Sequence, residues 1–110
     1  MSLYIYQFAY TPESWAAQIK HPENRVETVG KASCEAAGGK LIGGWLSFGE
    51  YDAVLIVDMP NEESMAGLAL AIAAGGALKA SKTTALLTGT KGVEALKKAA
   101  NVAKTYRPAK

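Results

Sequence analysis

Residues 51–59 read Tyr51-Asp52-Ala53-Val54-Leu55-Ile56-Val57-Asp58-Met59, and from Ala53 to Val57 every residue is apolar. Aliphatic and β-branched residues in an unbroken run predict a strand. A half-wet strand would alternate apolar with polar. A run without alternation is expected where both faces of a sheet are covered. The fold therefore needs a cover on each side of this strand.

Upstream, Gly49-Glu50 reads as a turn, and Lys40 to Phe48 as a preceding strand rich in Leu, Ile, Trp and Phe. Gly43 and Gly44 loosen that strand and mark a bulge or a close backbone approach. Downstream, Pro60-Asn61-Glu62-Glu63 opens a helix, with Asn61 as cap and two acids in the first turn. Met65, Leu68, Ala69 and Ile72 form its buried stripe, and Gly75-Gly76 closes it.

At the start of the chain, Leu3 to Tyr10 alternates with period two. Leu3, Ile5, Gln7 and Ala9 share one face; Tyr4, Tyr6, Phe8 and Tyr10 share the other. This is a strand, and both of its faces are largely apolar. Thr11-Pro12-Glu13 starts a helix by capping, by a fixed first-turn φ and by a charge that suits the dipole. Pro22 interrupts it at His21, Pro22-Glu23 restarts it, and Gly38-Gly39 stops it. Leu78 to Leu87 reads as a fourth strand and roughly Lys91 to Lys104 as a last amphipathic helix with Val93, Leu96, Ala100 and Ala103 on one side.

The order is β-α-β-β-α-β plus a helix: an α+β, ferredoxin-like domain. It predicts a four-stranded antiparallel sheet with two helices on one face and little to cover the other. Strands greasy on both sides would leave ~600–800 Å² of apolar surface wet, more than monomers tolerate. At ~25 cal/mol/Å² that is on the order of 15–20 kcal/mol gross, partly offset by the entropy of association. A homodimer, sheet facing sheet, is the simplest closed solution.

Composition narrows the function classes. The chain has 110 residues, enough for about one domain. One cysteine, Cys34, and one histidine, His21, supply neither a disulfide nor a usual zinc ligand set. No metal or cofactor is expected. The net charge of +2 is too small to point to nucleic acid. The charge is uneven, however: residues 88–110 carry six basic groups and Glu94, so +5, which leaves −3 on residues 1–87. No apolar run is long enough for a membrane span, and Met1-Ser2-Leu3 leads straight into a strand with no secretory pattern. A cytoplasmic location follows as the expectation.

Several motifs together carry a resemblance. They are Gly49-Glu50-Tyr51-Asp52 before the apolar strand, Tyr4-Ile5 in the first strand, Gly38-Gly39-Lys40-Leu41 at the entry to the second, and the Ala-Leu-rich second long helix. With the strand order they resemble the GYD-domain family over about residues 3–88. The domain division is thus 1–88 for the GYD-like unit and 89–110 for a basic helix and tail. The resemblance implies a domain of the dimeric α/β-barrel type and assigns no reaction.

Four groups of candidate residues stand out. Gly49, Tyr51 and Asp52 either make a turn, with Gly49 at positive φ and Asp52 bonding backbone N–H groups, or orient a ligand at the rim of a cleft. His21 either caps the restarting helix or acts as general base. On strand four, Lys79, Ser81 and Thr83 share one face and Lys82 with Thr84 the other; a lysine on a covered face would need a carboxylate or ligand anion. Cys34 reads as a core thiol, Trp15 and Trp45 as core or interface anchors, and the Tyr4/Tyr6/Phe8/Tyr10 ladder as interface packing.

Three functions follow. The first is a homo-oligomeric domain binding a small apolar or anionic molecule, or another protein. The second is a cofactor-independent isomerase or monooxygenase-like enzyme, which needs a closed pocket on which at least two of His21, Tyr51, Asp52 and Lys82 converge as catalytic residues. The third is a structural assembly subunit.

Overall fold

The computed structural model describes all 110 residues. Strands β1 (Ser2–Tyr10), β2 (Lys40–Leu46), β3 (Ala53–Met59) and β4 (Leu78–Leu86) form one antiparallel sheet in the order β2-β3-β1-β4. The helices are α1 (Pro12–Lys20), α2 (Lys31–Ala36), α3 (Glu62–Ala74) and α4 (Gly89–Ala103). The fold is the ferredoxin-like α+β arrangement, with β1 at the centre of the sheet.

Register decides which face is which. Tyr6 stands opposite Leu55 of β3 and Thr83 of β4, and Tyr4 opposite Val57. Tyr4, Tyr6, Phe8 and Tyr10 pack with Leu55, Val57, Met59, Met65 and Leu68 into the core beneath the helices. The aromatic ladder is therefore internal packing, not an interface. Its rings meet in series: Tyr6 and Phe8 lie 5.4 Å apart, Phe8 and Tyr10 5.3 Å edge-on, and Tyr10 meets Trp15 of α1 at 5.0 Å. Leu3, Ile5, Val54 and Ile56 fall on the other, open face. Trp45 shares it and is 55% exposed, its ring folded over Gly43.

The caps form as the sequence predicts. Thr11 Oγ1 accepts from the Ser14 N–H at 3.1 Å and Asn61 Oδ1 from the Ser64 N–H at 2.8 Å. The restart after Pro22 differs. Residues 22–24 are irregular, and the chain re-enters as a π-helical segment, Val26–Gly30, that runs into α2. A β-carbon on Gly44 would lie 2.9 Å from Val26 Cγ1, so the missing side chain of β2 is where this segment beds down. Strands β2 and β3 are shorter than expected, because the turn between them takes in residues 47–52.

The last helix departs from the rest. No residue of α4 is buried, and the radius of gyration is 17.3 Å, against about 13 Å for a compact chain of this length. Its cap is Thr88, whose Oγ1 accepts from the Lys91 N–H at 3.2 Å. The helix thus begins two residues before the expected Lys91. None of the helices is long and apolar enough to cross a membrane.

Candidate functional site

The space between the helices forms the candidate site. The π-helical segment and α2 rest on β2, while α3 rests on β3 and β4. Between them lies a cleft of about 890 Å³ over the middle of the sheet. Phe8, Tyr10, Ala53 and Leu55 are among its floor residues. One wall presents Val29, Gly30, Ser33 and Ala36; the opposite wall presents Ser64, Gly67 and Ala71. Small residues facing each other across two helices hold open a space that larger ones would fill. π-helical turns occur often at functional sites, and this one contributes Val26, Val29 and Gly30 to the lining.

The rim is polar. Gln18, Glu23, Asn24 and Arg25 gather where α1 ends and the π-helical segment begins. Arg25 Nη1 lies 3.5 Å from Glu23 Oε1, both side chains being more than a third exposed. Such an ion pair contributes little, so the guanidinium is available to an incoming anion. Asn24 Oδ1 accepts from the Glu27 N–H at 3.4 Å.

None of Gly49, Tyr51, Asp52, His21 and Lys82 lines this cleft. No side-chain hydrogen bond or ion pair joins any two of them. His21 is exposed at the C-terminal end of α1, where its backbone N–H donates to the Ala17 carbonyl. Lys82 is exposed on the open face opposite Gln7, and Lys79 is exposed at the start of β4. Ser81 and Thr83 face the other way, opposite Phe8 and Tyr6. Gly49 does not take a positive φ; only Gly38 and Gly76 do. Cys34 and Tyr6 are fully buried in the core, away from the cleft's rim.

Asp52 does have a definite task. Its Oδ2 accepts from the Tyr10 N–H at 2.9 Å, and its own N–H donates to the Phe8 carbonyl at 2.9 Å. Its carbonyl accepts from the Ser47 N–H, and Ser47 Oγ donates to the Tyr51 carbonyl at 2.6 Å. The β2–β3 turn is thereby tied to the end of β1, under two aromatic residues of the cleft floor. Asp52→Ala strands the Tyr10 N–H and is expected to lower stability by about 1–3 kcal/mol in urea unfolding. Asp52→Asn keeps an acceptor and should lose less; equal losses would show that the carboxylate oxygen is not what matters.

Sequence reasoning favoured residues with reactive heads and passed over the cleft. The available signal was the run of Gly, Ala and Ser on both helices, together with the polar cluster 23–25 just before the π-helical segment.

No curated protein matches the chain at a significant level. A family model does, over residues 4–105, running through α4 and beyond the 3–88 span that the motifs carry. Its description is the GYD domain, and with nearly the whole chain matched, the protein belongs to the GYD-domain family.

Proposed function

We propose that this protein is a homo-oligomeric binding domain that takes a small apolar molecule with an anionic or polar head into the cleft between its helices. The observation that carries the reading is the cleft itself: about 890 Å³ lined by 23 residues, of which 14 are hydrophobic. Sites for small ligands have this size and this balance of apolar walls with a few convergent polar groups. The apolar body would lie over Phe8 and Leu55, and its head would reach Arg25 and Asn24 at the rim. Asp52 acts as a positioning residue for the floor, through Tyr10. The open sheet face supports the homo-oligomeric part, since Leu3, Ile5, Val54 and Ile56 lie on the side away from the core and none of them is fully buried in its own chain.

The test is Gly67→Leu. A β-carbon at Gly67 meets nothing within 4 Å, so the new side chain fits and fills the cleft. Replacing glycine in a helix interior also adds about 0.8–1 kcal/mol of helix stability. With 1-anilinonaphthalene-8-sulfonate as probe, the wild type should bind one molecule per chain. The variant should lose that binding while melting at a higher temperature. Unchanged probe uptake in a folded Gly67→Leu variant would falsify the cleft as the site.

A further inference from the structure

We infer that α4 is an exchanged arm: its apolar side docks on the open sheet face of a second copy of this chain. The inference rests on the homo-oligomeric reading above and specifies the contact that makes the oligomer.

Amphipathicity is the first support. At about 100° per residue, Lys91, Glu94, Lys97, Lys98, Asn101 and Lys104 all fall in one arc of α4. Val93, Leu96, Val102 and the alanines occupy the rest. A helix divided this sharply has one side built for burial. Yet Val93 is 50% exposed, Leu96 71% and Val102 60%. A lone helix of this length is marginal in water, so its order implies a partner surface.

That surface has to be apolar, fairly flat and not basic. The open sheet face supplies the first two properties through Leu3, Ile5, Val54, Ile56 and Trp45. The third holds at its centre: Lys40 and Lys82 stand on the edge strands β2 and β4, whereas β1 and β3 bring Asp58 and no basic residue to this face, and the body as a whole carries −3 against +5 on residues 88–110. At the end of the open face, Asp58 Oδ1 has no hydrogen-bond partner within its own chain.

Dimensions agree. The helix is about 22 Å long and 10 Å across, the width of about two strands. Two reciprocal contacts remove on the order of 1,200 Å² in total, the lower limit of a stable interface. Reciprocal exchange also closes under two-fold symmetry, so it yields a dimer rather than a filament.

A basic amphipathic helix also suits an anionic membrane. The apolar arc argues against that occupant. It is mostly alanine, with no aromatic residue within the helix, which suits close packing on protein more than insertion among lipid chains.

The experiment uses the full chain with Leu96→Glu and, as control, Lys98→Ala on the polar arc. Because no residue of α4 is buried in its own chain, neither change should disturb the body, and circular dichroism checks this. Sedimentation should show a wild-type dimer, a Lys98→Ala dimer weakened less than tenfold, and a Leu96→Glu dissociation constant raised at least a hundredfold. Photo-crosslinking from position 96 in a mixture of ¹⁴N and ¹⁵N chains should give mixed-isotope adducts on β1 or β3. A Leu96→Glu dimer as tight as the wild type, or adducts within one chain only, overturns the arm while leaving the oligomer standing. A monomeric wild type overturns both. Co-flotation with phosphatidylserine vesicles that Leu96→Glu abolishes, without any change in mass, assigns α4 to a membrane instead.

Discussion

Gly39→Ala is expected to lower stability by about 3 kcal/mol, the upper end for overpacking a well-filled site. A β-carbon at Gly39 would lie 2.5 Å from the Asp58 carbonyl oxygen and 2.5 Å from Met59 Sδ. The methionine side chain can turn away, but the carbonyl belongs to β3 and is held in the sheet. Either β2 is pushed from β3 at its first pair, Lys40 opposite Asp58, or the chain leaves α2 at another angle. Gly38 next to it provides the contrast. It sits at φ +84° and closes α2, with its N–H donating to Glu35 and the Gly39 N–H donating to Cys34. A β-carbon there meets only Pro60, at an ordinary 3.7 Å. Gly38→Ala should therefore lose about 1 kcal/mol, the cost of a left-handed backbone. Urea midpoints of the two variants separate steric from conformational need. Equal losses would mean that β3 yields more easily than its pairing suggests.

Tyr6→Ala should destabilise by about 3–5 kcal/mol, as large-to-small changes do at fully buried aromatics. Tyr6 has no exposure and lies between Leu55 and Thr83 in the middle of the sheet. Its hydroxyl behaves differently from its ring. Burial pushes the phenol above its ordinary value, tempered by the nearby Ser81 hydroxyl, but no hydrogen bond of good geometry satisfies the oxygen. Tyr6→Phe should therefore change stability by less than about 1 kcal/mol. Cys34 is pushed up as well, first by burial and then by the charge of Glu35. Both groups keep their protons to higher pH in the folded chain than in the unfolded one. Stability is then fully present below their ordinary values and falls as pH rises past them, beginning near pH 9 for the thiol. Thermal melts from pH 8 to 10.5 should show that decline, with Cys34→Ala losing its early part and Tyr6→Phe its later part. A flat profile in the wild type would contradict it.

The two faces of β1 were legible in its alternation, but which face the helices cover was not, because Tyr4/Tyr6/Phe8 and Leu3/Ile5 are both apolar sets. Bulk decides it: the rings fill the depth beneath the helices, and the shorter aliphatics are left outside. Caps at Thr11 and Asn61 were readable, since each needs only a local side chain. The π-helical turn was not, because it depends on Gly44, many residues away, leaving room for Val26. The candidate site was the least legible part. Asp52 and His21 attract notice by their chemistry, whereas the cleft exists through side chains that are not there, on two helices whose spacing no periodicity encodes. The start of α4 was misplaced by two residues because Gly89 and Gly92 hide a helix that the Thr88 cap sets going.

The strand order β2-β3-β1-β4 has a consequence for how the chain is made. Of the four strands, β1 is made before the others yet lies in the interior of the sheet, and both of its neighbours arrive later, one only when Leu86 has emerged. Until then the strand that carries three tyrosines and a phenylalanine has a neighbour on one side at most. Long loops have to close before they are buried, which slows folding relative to a helical protein of equal length. A pause in translation before β4 would prolong that exposure and favour aggregation at the ribosome.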